Sequence, residues 1–136
     1  METFTWKDEF CIGIDEIDKQ HQYLVQLINQ IAIAINQKAE IAFIQSIYEQ
    51  LVEYTQYHFN EEEKYFIRLT RADKLLHQLQ HSHFIEELKS YRHQGLENID
   101  MNNILFFLTD WLLNHILGED RKIVVKKQQP LSTKVY

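Results

Sequence analysis

At 136 residues with 45% hydrophobic content, the chain is long enough for one domain with a real core, spanning 1–136. The net charge is −6 and the Lys and Arg residues are scattered, which excludes the basic stripe that a nucleic-acid partner requires. Only three Gly and one Pro interrupt the sequence, which favours long helices over many short strands. Cys11 is the single cysteine, so no internal disulfide forms and a reducing compartment fits. Residues 1 to 10 do not read as a signal peptide, and no apolar run nears about 18 residues. The expectation is therefore a cytoplasmic protein with no membrane span.

Residues 1 to 14 lack a helical period. Phe4, Trp6, Phe10 and Ile12 alternate with polar residues up to Gly13. This predicts an extended arm packed on the domain through its aromatics, since a lone edge strand would have no partner. The first helix is predicted over about 16–37, with Asp15 and Asp18 as a capping pair in its first turn. His21, Leu24, Ile28, Ile31 and Ile35 recur at three- and four-residue steps and form its buried stripe.

The second helix is predicted over about 40–66, with the stripe Ile44, Ile47, Leu51, Tyr54, His58, Glu62 and Phe66. His58 and Glu62 are four residues apart and share one face, while Glu61 and Glu63 point to the solvated side. Thr70 and Asp73 can cap a third helix over about 71–94, whose stripe carries Leu76/His77, His81, Phe84, Leu88 and Tyr91. Gly95 suits a left-handed residue after its end, followed by the apolar Leu96. Asp100 caps a fourth helix over about 101–117, with Ile104, Leu108, Trp111/Leu112 and His115 on its face. His115 and Asp120 lie five residues apart, roughly 140° around a regular helix. Both reach one centre only if the helix ends or unwinds between them, and Gly118 is the predicted place. The stretch 123–136, with a basic patch and Pro130, reads as a tail.

Four helices with short links imply an all-α, up-down-up-down antiparallel four-helix bundle. In that topology His21, His58, Glu62, His77, His81, His115 and Asp120 all fall in one half of the bundle, on the inward stripes. Buried polar clusters of this size are rare without a function, because each polar atom needs a partner. Imidazole suits iron, copper, zinc and nickel, and carboxylates can bridge two ions. The set is too large for one tetrahedral zinc, whereas two ions with shared carboxylates fit it.

These residues resemble the hemerythrin family, and single-domain bacteriohemerythrins within it. The resemblance rests on Asp18-Lys19-Gln20-His21, on His58-x-x-x-Glu62, on His77-x-x-x-His81 with Phe84, and on His115-x-x-x-x-Asp120. It implies two non-haem iron ions with an oxo or hydroxo bridge. His77, His81 and His115 would bind one iron, and His21 and His58 the other, which keeps an open position. Glu62 and Asp120 would bridge them. Leu24, Phe59, Trp111, Leu112 and Ile116 would line an apolar oxygen pocket. His83 and His93 fall outside the pattern and are expected to face solvent.

The function this implies is reversible dioxygen binding for storage, delivery or scavenging, rather than enzyme catalysis. Two alternatives stay open at this point. One is a free-standing sensor that signals to a protein partner. The other is a di-iron enzyme handling nitric oxide or peroxide, against which counts the lack of a proton-relay residue among the candidates.

Overall fold

A computed structural model describes residues 3–124. Four helices form its body: α1 (Asp15–Asn36), α2 (Ile41–Glu63), α3 (Arg71–Gln94) and α4 (Met101–His115). Among the described residues there is no strand. Helix α1 packs on α2 and α4, and α2 packs on α3. The α3–α4 seam closes through aromatic rings, with Phe84 stacked on Trp111 at 4.1 Å and on Phe107 at 5.6 Å. The predicted stripes face the core, with Ile35, Tyr54, Tyr91 and Trp111 half-buried at its margin, and Ile31, Leu88, Ile104 and Leu108 lose all their exposed surface in one continuous core. Leu76 is an exception: it is 43% exposed, and only His77 of that pair turns inward.

The arm is ordered, but a 3₁₀ turn at Asp8–Phe10 interrupts it. Phe10 is buried between Phe4 and Trp6, with Trp6 edge-on at 5.5 Å. Asn29 of α1 clamps the Phe4 backbone, accepting its N–H at 2.7 Å and donating to its carbonyl at 2.8 Å. Asp18 does not cap α1, since the residue at the cap is Ile14 and no side chain bonds there. Its carboxylate instead accepts the N–H groups of Ile12 and Gly13 at 2.7 and 3.1 Å, which pins the arm against the first turn of α1.

The links differ from expectation in instructive ways. Helix α1 closes on Lys38 at φ 57°, with Ala39 N–H bonded to the Ala34 carbonyl and Lys38 N–H to that of Ile35. This is a Schellman ending built without glycine. Helix α2 stops at Glu63 rather than near residue 66, and Phe66 sits in a 3₁₀ turn, Phe66–Arg68, where it is still buried. Thr70 and Asp100 cap α3 and α4 as expected, accepting the N–H groups of Asp73 and Asn102. Gly95 does have positive φ, but with ψ 119° it is extended rather than helical. A Cβ there would lie 2.8 Å from the Glu97 carboxylate.

Helix α4 neither ends nor breaks at Gly118. It widens into a π-helical turn over Ile116–Asp120, in which the Arg121 N–H reaches back five residues to the Ile116 carbonyl. Helical backbone then continues over 121–124, and Ile123 is fully buried, so the tail does not begin at 123. The remainder of that stretch, with Pro130, lies outside the described residues. Widening the turn to i→i+5 bonding brings residues five apart onto one face. That places Asp120 beside His115. Gly118 itself is permissive rather than required, because it lacks positive φ and a Cβ there meets nothing within 4 Å. Gly118→Ala should therefore keep the fold and the metal content. It should also raise unfolding free energy by about 0.5–1 kcal/mol, the usual Gly-to-Ala gain inside a helix. Loss of metal in that variant would show that the π turn needs the glycine.

Candidate metal centre

All seven predicted ligands meet in one half of the bundle, each 3% exposed or less. Each imidazole presents Nε2 to the middle. Glu62 divides its oxygens: Oε1 faces His77 (2.8 Å), His81 (2.9 Å) and His115 (3.6 Å), while Oε2 faces His58 (3.1 Å) and His21 (3.4 Å). Asp120 does the same, with Oδ1 at 2.9 Å from His77 and 3.0 Å from His115, and Oδ2 at 3.0 Å from His21. The site is thus two adjoining groups of donors, one with three imidazoles and one with two, spanned by two carboxylates.

These distances do not describe a satisfied hydrogen-bond network. Both ring nitrogens of His21, Nδ1 of His77, Oε2 of Glu62 and both Asp120 oxygens are buried without a hydrogen-bond partner. His21 Nε2 and Asp120 Oδ2 are 3.0 Å apart, yet neither is directed at the other. His81 and His115 Nε2 also stand 3.0 Å apart. Two nitrogens held at right angles about 2.1 Å from one ion have about that separation. Uncompensated, the buried carboxylates would cost several kcal/mol each, and cations between the donors remove that penalty.

Partners behind the imidazoles fix their orientation. His58 Nδ1–H donates to Gln20 Oε1 at 2.7 Å, and His115 Nδ1–H to Gln80 Oε1 at 2.8 Å, which makes Nε2 the ligating nitrogen of each ring once that ring is neutral. Sequence reasoning quoted Gln20 in a motif but assigned this role to neither glutamine. Gln20 stands next to His21 and is 5% exposed, so a polar residue on a buried position was the available signal. Glu63 does not simply face solvent either, since its carboxylate lies 3.5 Å from His81 Nδ1. Glu61 pairs with Lys64 at 2.7 Å on the surface.

The five apolar candidates divide. Phe59 stacks flat on His81 at 3.7 Å, and Trp111 on His115 at 4.4 Å, so these rings back the three-imidazole group. Leu24, Leu112 and Ile116 are buried core residues. Leu24 lies one turn beyond His21, on the face that carries the two-imidazole group. Phe66, outside the predicted lining, packs on His77 at 4.5 Å. His83 and His93 are exposed.

The sequence model of the hemerythrin HHE cation binding domain matches residues 12–126. The chain belongs to the hemerythrin family. It is 32% identical over 130 residues to a bacteriohemerythrin of Clostridium acetobutylicum, covering 89% of this chain and 98% of that protein. A bacteriohemerythrin of Pseudomonas aeruginosa is 35% identical over 125 residues, with 88% and 78% covered. A hemerythrin-like protein of Naegleria gruberi is 30% identical over 119 residues, with 88% and 89% covered. Metal binding through the His/Glu/Asp cluster accords with this hemerythrin membership.

The electrostatics of the cluster set how it takes up metal. Burial pulls His21 and His115 down, but the Asp120 and Glu62 carboxylates more than offset it and lift them to about 9 and about 10. His77 moves up for the same reasons, whereas burial dominates at His58 and keeps it low. Burial pushes both carboxyls up and the imidazoles hold them well below their ordinary range. Without metal, then, His21 and His115 carry protons at neutral pH, and ligation requires them neutral. Metal uptake near pH 7 should expel about two protons, and apparent affinity should rise as pH climbs toward 9. Metal titration in weakly buffered solution with a pH indicator measures this. Uptake without proton release would contradict the assigned charge states.

Proposed function

We propose that the chain binds dioxygen reversibly at two iron ions held by His21, His58, Glu62, His77, His81, His115 and Asp120. The observation that carries this reading is the division of the carboxylate oxygens. Each of Glu62 and Asp120 offers one oxygen to each group of imidazoles, as a bridge between two ions requires. The group around His77, His81 and His115 supplies three nitrogens and two oxygens, while the group around His21 and His58 supplies two and two. The second group is one protein donor short, which leaves room for an exchangeable small ligand. Mixed imidazole and carboxylate donors suit iron. An iron pair would supply the two electrons that bind dioxygen and recover them on its release.

The chain's own residues serve that chemistry by exclusion and orientation. Leu24, Leu112 and Ile116 keep the interior apolar, which denies water and protons to a bound ligand. Gln20 fixes the His58 tautomer on the side with the missing donor. Glu63, a carboxylate near the ligands with surface access, stands behind His81 of the three-imidazole group. It is badly placed to protonate a ligand at the two-imidazole side, and this favours binding over reduction.

Anaerobic reconstitution with ferrous iron tests the reading. About two equivalents per chain are expected from a donor set of this size. An absorption band should appear under oxygen and disappear under argon over repeated cycles. One equivalent, or irreversible oxidation without a reversible band, would refute it.

A further inference from the structure

Three clefts reach the side chains around the centre, and their charges differ. The one beside His81 carries Glu63 and Glu86, and the one beside His115 carries Asp110 and Glu119. The third lies at the α2–α3 link and is cationic, with Arg71 and Lys74 on its wall and Phe66 within its lining. Arg68 stands over the adjacent Tyr65 ring. Among the described residues, the nearby Asp73 pairs with Lys122, and neither Arg71 nor Lys74 enters an ion pair.

The same surface is apolar to an unusual degree. Ile67 is 91% exposed, Leu75 56% and Leu79 57%. Leu75 and Leu79 are one turn apart on α3, and Ile67 projects from the turn before it. Contiguous exposed apolar residues rimmed by charge mark an interaction surface. The rim runs against the net charge of −6, so it selects an acidic partner from a protein that repels anions elsewhere. Three cations fall short of the four to eight that anionic membrane surfaces usually recruit. A protein is therefore the better match.

What lies beneath the groove indicates what such a partner does. Phe66 lines the groove and also packs on His77 at 4.5 Å and on His81 at 5.8 Å. A single ring separates the docking surface from two ligand imidazoles. We propose that this groove docks an acidic one-electron donor protein, bearing a flavin or iron–sulfur group, which delivers electrons through Phe66 and His77. This rests on the iron-pair reading above. Were an iron pair held here to be oxidised to two iron(III) ions, two encounters would return it to two iron(II). Each encounter passes one electron, and the donor is oxidised by one electron each time. Such encounters are small and weak, and they depend on charge steering.

An acidic plant-type ferredoxin serves as the probe. Stopped-flow reduction of the oxidised, iron-loaded protein by reduced ferredoxin should slow as salt rises. It should be about tenfold slower or more at low salt in the double variant Arg71→Glu, Lys74→Glu, and that variant should no longer slow as salt rises. The charge-conserving pair Arg71→Lys, Lys74→Arg should restore the parent rate, and reduction by dithionite should be unchanged throughout. Zero-length carbodiimide coupling to the ferredoxin should join Lys74, a readout that does not depend on iron. Equal ferredoxin rates in parent and charge-reversed protein, or cross-links confined to other lysines, would overturn the proposal. So would Lys74-dependent binding to phosphatidylserine vesicles without ferredoxin coupling, or self-association through this face abolished by the charge reversal. If the iron pair itself does not form, dithionite reduction fails as well, while the cross-link still reports on docking.

Discussion

A carboxylate with no exposed surface, Glu62, stands within 3.6 Å of five imidazole nitrogens. In water such a group is cheap; in the middle of a helix bundle it costs several kcal/mol unless positive charge surrounds it. Most of what is unusual in this chain answers that constraint. The imidazoles turn Nε2 inward, and a second carboxylate, Asp120, faces the first across the site. The two carboxylates form a negatively charged pair that keeps protons on His21 and His115 when no metal is bound. Binding energy at such a site is also folding energy, so the bundle and its metal centre are coupled.

The bundle supplies the geometry by simple means. The three- and four-residue stripes of four antiparallel helices carry His21, His58, Glu62, His77, His81 and His115 to one end. Asp120 alone is off register, and the π turn at Ile116–Asp120 returns it to the face of His115. Flat aromatic contacts then restrain the rings, Phe59 on His81 and Trp111 on His115. Gln20 and Gln80 choose the tautomers from behind. Each restraint acts on an atom other than the ligating nitrogen, which leaves the inward positions free for metal.

The bundle, its four helices and the convergence of the seven donors were legible because side-chain periodicity reports directly on which face is buried. His58 and Glu62 on an otherwise apolar stripe were the informative departure. The π turn was only half legible. The five-residue spacing demanded a local distortion, but a sequence rule that links distortion to glycine fixed on Gly118, where the backbone needs no glycine. The end of α1 shows the same weakness, since Lys38 takes a left-handed conformation that sequence preference assigns to glycine. Asp18 matched a capping position yet bonds the arm, because capping and arm-pinning use the same chemistry and differ only in which N–H groups are near. Phe66 was read as a buried stripe residue and Gln20 as part of a motif, but their contacts with ligand imidazoles, like that of Gln80, could not be read, since they arise between helices.

The central claim is that Glu62 and Asp120 bridge two ions of unequal donor count. Anomalous diffraction at the iron edge from crystals of the reconstituted protein tests it most directly. Two peaks about 3.5–4 Å apart are expected, the spacing of two-metal sites. One should lie against His77, His81 and His115, and the other against His21 and His58, with an oxygen of each carboxylate beside each peak. A single peak, or two peaks with either carboxylate bound to one ion alone, would contradict it.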